Sequence, residues 1–329
     1  MKGTKIKGKI VRVALVALLF TAAGLGAARA WNSGERIGPD LDWLQPPPPA
    51  QPPPEGSGPK PGEVWVEPTT GMEMLWVPAG CFMMGTPPEL REKEDDDNEG
   101  PVHRVCLDGF WMGRYEVTNA QYRKFRPDHS SGEYRVAGNA PKTYTLNEDK
   151  QPVVNVSWND AMTFCKWLSD QTDNKYVFCL PTEAEHEYAC RAGTTTIRFW
   201  GDNPDDACKY ANVADITAKK SFPKWKKMFN CDDTFVVTAP VGSFAPNPWG
   251  FYDILGNAWE WCLDWKGDYP TRQNGPLRNP TGPASSKEGR QVRGGSWDNP
   301  PPGIRCANRS YGTPNFRRYN DGFRVVRIL

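Results

Sequence analysis

Apolar residues take helical spacing between Ser157 and Gln171, where Ala161, Phe164, Cys165 and Leu168 fall at i, i+3, i+4 and i+7. This predicts a helix with one buried face, Ser157 as its N-cap and a last turn near Gln171. Two more short helices are predicted from their starts. Thr118-Asn-Ala-Gln121 and Thr182-Glu-Ala-Glu185 both read as capping boxes, in which the threonine hydroxyl takes one orphan amide and the Gln or Glu reaches back to another. Pro127 and Gly193 stop them. Other segments are short and β-leaning: Met74 to Val77, Cys106 to Trp111, Thr234 to Val237, Gln291 to Arg293 and Gly322 to Val326. Long irregular stretches separate these elements, and such loops need staples from aromatic packing, disulfides or bound cations.

The N-terminus follows another pattern. Lys2, Lys5, Lys7, Lys9 and Arg12 precede an apolar stretch from Val13 to Ala27, and Ala28-Arg29-Ala30 then offers a small-x-small cleavage site. The stretch is shorter than the roughly 20 residues a spanning helix needs, so residues 1–30 are expected to be a cleaved signal peptide. Export to a periplasmic or extracellular compartment follows, without stable membrane insertion after cleavage. Removing residues 1–30 deletes six cations and no anions, so the formal charge of +1 becomes −5. Residues 31–63 read as a polar and Pro-rich linker, with PPPPAQPPPEGSGPKP between Pro46 and Pro61 as an extended spacer. The folded unit is expected from 64 to 329. Its acidic run from Glu89 to Glu99 reads as a solvated loop.

Composition narrows the class. With 31 Gly and 32 Pro among 329 residues, a helix bundle or coiled coil is excluded, while 14 Trp, 14 Phe and 11 Tyr can pin loops to a real core. The near-neutral charge removes the electrostatic case for a nucleic-acid partner. Nine cysteines in an exported chain point to disulfides, with at least one thiol left over. No CxxC pair occurs and only His103, His129 and His186 supply imidazoles, so a zinc site is disfavoured.

Six phrases in order carry a resemblance: Gly109-Phe-Trp-Met-Gly-Arg-Tyr-Glu-Val-Thr118, Pro152-Val-Val-Asn-Val-Ser-Trp-Asn-Asp-Ala161, Leu180-Pro-Thr-Glu-Ala-Glu185, Gly256-Asn-Ala-Trp-Glu-Trp261, Arg293-Gly-Gly-Ser-Trp297 and Gly322-Phe-Arg324. From about Met72 to the C-terminus the chain resembles the formylglycine-generating enzyme, or sulfatase-modifying factor, family. The resemblance implies a single α+β, C-type-lectin-like domain with little regular secondary structure. It also implies a catalytic cysteine pair after the Gly-Gly-Ser turn, binding copper(I) and oxidising a substrate cysteine with oxygen. Here the segment runs Gly294-Gly-Ser-Trp-Asp-Asn-Pro-Pro-Pro-Gly-Ile-Arg-Cys306, with Asn299 where the first cysteine would stand and Pro301 near the second. Neither group binds Cu(I) as a thiolate does, so copper and authentic formylglycine generation are disfavoured.

The same resemblance implies a Cys190–Cys306 disulfide and matches Cys165 to a structural cysteine whose partner is replaced by Val325, leaving Cys165 free or paired locally, as with Cys179. Cys81 with Cys106, flanking the acidic loop, and Cys208 with Cys231, flanking a Lys-rich segment, are further expected staples, and Cys262 is the odd thiol. Two structural calcium sites are implied, one resembling Asn212, Val213, Asp233 and Phe235, the other Asp253, Gly256, Ala258 and Glu260. Carboxylates, an amide oxygen and backbone carbonyls suit a hard cation, although Asp233 and Glu260 could equally cap turns.

Position places Trp259, Ser296, Trp297, Asp298, Asn299 and Arg309 at the family's cleft. For the two tryptophans and Arg309 the competing assignment is structural, as core aromatics and an ion-pair partner. The family's iron sulfoxide synthase branch is disfavoured because three scattered histidines offer no counterpart to its iron site. A divergent oxidoreductase or modifying factor acting on a protein or peptide is favoured. The alternative is a non-catalytic ligand-binding or envelope-assembly module, since Cys306 to Arg324 also resembles the variable regions of diversity-generating-retroelement proteins, rich in Asn, Tyr, Arg and Ser.

Overall fold

The computed structural model describes residues 59–90, 97–136, 141–271 and 275–328. The expected signal peptide, most of the linker and the middle of the acidic run lie outside the described residues. In chain order the elements begin β1 (Val64–Val66), β2 (Glu73–Val77), β3 (Gly80–Met84), β4 (His103–Leu107), β5 (Phe110–Gly113), α1 (Asn119–Arg123), β6 (Glu133–Val136) and β7 (Lys142–Thr145). They continue α2 (Trp158–Asp170), β8 (Val177–Cys179), α3 (Glu183–Arg191), α4 (Ile216–Ser221), β9 (Trp259–Trp265) and β10 (Leu277–Arg278). Last come β11 (Arg290–Arg293), β12 (Ser310–Gly312), β13 (Asp321–Gly322) and β14 (Val326–Ile328). The architecture is mixed α and β, with long irregular joins.

The three expected helices form through the expected caps. Thr118 Oγ1 accepts from the Gln121 amide at 3.2 Å while Gln121 Oε1 accepts from the Thr118 amide at 3.0 Å, and Thr182 and Glu185 repeat the exchange in α3. Helix α2 uses the same device with an aspartate, Ser157 exchanging bonds with Asp160. Its Ala161, Phe164, Cys165 and Leu168 are fully buried against Tyr122 and Phe323. Helix α4 has no apolar period and is nucleated by Asp215, whose carboxylate accepts from the Ala218 amide.

The described residues form four sheets: β1-β2-β5-β14-β8, β10-β4-β3, β12-β11-β9-β13 and β6-β7. Most pairs are antiparallel, and β10 with β4 and β13 with β9 are parallel. Three strand expectations need correction. Cys106 to Trp111 is two strands, because the chain leaves one sheet at Leu107 and enters another at Phe110, turning at Gly109, where a Cβ would stand 2.4 Å from the Trp76 ring. Thr234 to Val237 is irregular: Thr234 has a left-handed φ of 73° and the Phe235 amide is held by Asp233 Oδ1 instead of a ladder. Gly322 to Val326 splits into β13 and β14, because Arg324 turns inward to meet Glu260.

Disulfides join Cys81 to Cys106, Cys190 to Cys306 and Cys208 to Cys231, the three pairings expected. Cys165, Cys179 and Cys262 are free and buried, so Cys165 takes no local partner. Among the described residues no helix is long and apolar enough to cross a membrane. Both findings are compatible with an exported protein.

Candidate functional site

Past β11 the chain turns at Gly294 and Gly295, with φ of 92° and 77°. A Cβ on Gly295 would lie 2.5 Å from Ile304 Cδ1, so this glycine lets the 296–304 loop fold back on itself. The fold-back knits a polar cluster. Asn299 Oδ1 accepts from the Ser296 amide at 2.9 Å, and the Ser296 hydroxyl lies 2.6 Å from Asp298 Oδ1 and 2.7 Å from Asn299 Oδ1. Asp298 also accepts from the Tyr319 hydroxyl and the Asn320 side-chain amide, each at 3.0 Å. The loop is thereby tied to the C-terminal stretch.

That stretch builds an open cleft of about 500 Å³ lined by Asn155, Phe316, Arg317, Arg318, Tyr319 and Asn320. Asn155 holds a left-handed φ of 58° and donates to the Ser131 carbonyl, which fixes its wall. Arg317 is neutralised by Asp160, with contacts of 2.8 and 3.0 Å. Beside the cleft, the carboxylate of Asp321 and Oδ1 of Asn320 are buried and have no hydrogen-bond partner among the described residues. Burial pushes the Asp321 carboxyl up to about 7, against the pull of Arg318. Burial and the neighbouring Asp298 push the Tyr319 phenol upward, so it remains a proton donor.

The expected cleft residues divide. Ser296, Asp298 and Asn299 come together as described, and Trp297 lies beneath them, fully buried with its ring against Tyr134, Phe222 and Tyr319. Trp259 and Arg309 are not brought to the cleft. The Trp259 ring packs in the core beside α2, and Arg309 holds Glu183 through two bonds of 2.6 and 2.8 Å with its guanidinium 4.0 Å from the Tyr269 ring centroid. Asn155, Tyr319, Asn320 and Asp321 carried no separate signal in the sequence. The Tyr- and Asn-rich composition of 306–324 was the only pointer to three of them.

Residues 61–329 match the sulfatase-modifying factor enzyme 1-like domain. The chain belongs to this family. The formylglycine-generating enzyme of Bos taurus is 33% identical over 308 residues, covering 79% of this chain and 75% of that protein. PvdO from Pseudomonas aeruginosa superposes with a TM-score of 0.67 at 32% identity, covering 83% of this chain and 100% of PvdO. Treponema denticola variable protein 1 shares the fold, with a TM-score of 0.63 at 24% identity over 80% of this chain and 98% of that one. The fold is C-type-lectin-like.

Asn299, which the sequence resemblance matches to the first copper-binding cysteine, has its amide oxygen committed to Ser296. The free thiols cannot substitute, because Cys165, Cys179 and Cys262 are buried elsewhere and burial pushes all three above the ordinary thiol range. Copper(I) does not fit the residues present.

The two calcium sets behave differently. In the first, Asp233 accepts from the Val213 and Phe235 amides at 2.8 Å each, Asp215 lies beside it, and Asn212 Oδ1 is buried with no partner among the described residues. Burial pushes the Asp233 carboxyl up to about 8, with Asp215 adding to the rise. Crowded oxygen acceptors with one left unanswered fit a hard cation. The nearby Cys208 sulfur is tied up with Cys231. In the second set, Glu260 is clasped by Arg324 at 2.6 Å through both oxygens and by His186 at 3.1 Å. Asp253 Oδ2 takes the Gly242 amide, and the Ala258 amide goes to Glu116. A cation there would compete with Arg324, so these residues as arranged do not fit calcium.

Proposed function

We propose that this protein is an exported member of the family that receives a segment of a peptide or protein in the cleft lined by Asn155 and Phe316 to Asn320, without copper-dependent formylglycine chemistry. One observation carries the reading: Ser296, Asp298 and Asn299, the last matched by the resemblance to the first cysteine, form a hydrogen-bonded cluster that braces Tyr319 and Asn320. Such a cluster organises a recognition surface. Tyr supplies rigid amphipathic area, and Asn and Arg supply adaptable hydrogen bonds, the side chains that suit recognition of an irregular partner. This favours the ligand-binding alternative over a divergent oxidoreductase, because no side chain at the cleft is a thiolate or an imidazole.

Export is supported by the signal-like N-terminus and by three disulfides. Calcium is proposed at the first set alone, where Asn212 and Asp233 of that set, joined by Asp215 outside it, would hold the ion and it would cross-link the segments around α4. The deciding experiment loads the purified protein with Cu(I), supplies a sulfatase-motif peptide and seeks the aldehyde by mass. No aldehyde is expected, and an aldehyde product overturns the reading.

A further inference from the structure

A chemical imbalance lies at the wall of the cleft and directly behind it. Asn320 is 8% exposed and lines the cavity, yet its Oδ1 has no hydrogen-bond partner among the described residues, although its Nδ2 is fixed by Ser296 and Asp298. Asp321, next in sequence, is 1% exposed with both carboxylate oxygens likewise without a hydrogen bond. Its nearest cation is Arg318, whose Nε stands 3.9 Å from Oδ2, too far to donate a hydrogen bond. Arg318 is itself 41% exposed and leans over the Phe316 ring, so it can yield its place to solvent. Three buried acceptors without donors cost free energy unless something supplies protons or charge.

Asp298 adds a second carboxylate close by, already accepting from Ser296, Tyr319 and Asn320. The Ser296, Tyr319 and Asn320 donors are therefore already committed to Asp298, Asn299 and Ser296. At the mouth stands Phe316, 51% exposed, an apolar surface with no packing reason to be there. A ligand that answers all of these features has several N–H donors, a positive charge and an aliphatic stem.

We infer that the cleft is a site for a primary alkylammonium group, the side chain of a lysine in the bound peptide, with Asn320 Oδ1 and the Asp321 carboxylate accepting from the ammonium and Phe316 covering the methylene stem. An ammonium has three donors and no acceptor, the complement of what the site presents. Its stem gains from the exposed ring as its head enters the polar corner. The inference rests on the peptide-binding reading of the same cleft and names the group recognised there.

The site is also proton-gated. Asp298 and Arg318 are the charged groups that act on Asp321. With its carboxyl raised to about 7, Asp321 is neutral at about pH 5 and charged at about pH 8, so ammonium binding strengthens as pH rises.

The test uses the disulfide-bonded protein and three probes, the tripeptides Gly-Lys-Gly, Gly-norleucine-Gly and Gly-Arg-Gly, titrated by calorimetry. The lysine peptide is expected to bind about tenfold more tightly than the norleucine peptide at about pH 8, with most of that preference lost at about pH 5. Asp321→Asn should abolish the preference without lowering the melting temperature. Phe316→Ala, at an exposed position, should weaken the lysine and norleucine peptides alike and serves as the check if Asp321→Asn does not fold. Equal binding of all three peptides, a preference for arginine over lysine, or a preference that survives in Asp321→Asn overturns the ammonium assignment and leaves peptide binding standing. If none of the three binds, both fall.

Discussion

Two regions of this protein bury carboxylates, and they treat them in opposite ways. Beneath β9 and β11 three acids meet guanidinium groups: Glu260 with Arg324, Glu187 with Arg293 and Arg191, and Glu183 with Arg309. Burial alone would push the Glu187 and Glu260 carboxyls up, but the surrounding cations outweigh it and hold both below the ordinary range. At the cleft, burial acts on Asp321 with only Arg318 at 3.9 Å to oppose it, and burial wins. The closed region spends its charges on itself. The open region leaves acceptors without donors, which is why the proposed recognition is placed there.

Breaking the closed region should cost the most. Arg324→Met strands Glu260 in the core beside Glu116 and Asp253, and a loss of about 3–5 kcal/mol is expected from urea unfolding. A loss under about 1 kcal/mol would mean that Glu260 simply takes up a proton, and the contrast between the regions would fail.

The cluster around Asp233 is also open, and calcium should close it. In chelator, the folded state binds more protons than the unfolded chain between about pH 4 and 8, because the Asp233 carboxyl is raised from 3.8 to about 8. Stability should therefore fall as pH rises through that window. Calcium at about a hundred times its dissociation constant should restore about 2.7 kcal/mol at the alkaline end, read as a rise in melting temperature. Asp233→Asn should remove both the slope and the response.

The smallest effect has the opposite sign. Asp321→Asn removes a buried charge that nothing bonds, so at about pH 8 it should leave stability unchanged or raise it by about 1 kcal/mol. Below about pH 4 the carboxyl is protonated in the folded and unfolded chains alike and the difference should vanish, since the raised carboxyl costs stability as pH climbs from about 4 to about 7. A clear loss at either pH would place Asp321 among the structural acids.

Local chemistry was legible where the interactions are local. The caps of α1 and α3 depend on residues three apart, and the buried face of α2 on one periodic run, so both could be read without tertiary knowledge. The broken strand at Gly109 could not, because it depends on Trp76, thirty-three positions earlier in the chain. Helix α4 was missed because a six-residue turn with one buried alanine has no period to detect.

The candidate site divides on the same line. The order of six phrases determined family and fold from residue identity alone. Which of the expected positions share a cleft was a matter of long-range contact. Arg309 and Asn320 lie in the same stretch, yet one is drawn inward by Glu183 across 126 positions and the other lines the cleft. Whether a carboxylate is silent or poised depends on how much low-dielectric protein surrounds it and whether a cation reaches it. Those are properties of packing in three dimensions, which a one-dimensional order of residues does not contain.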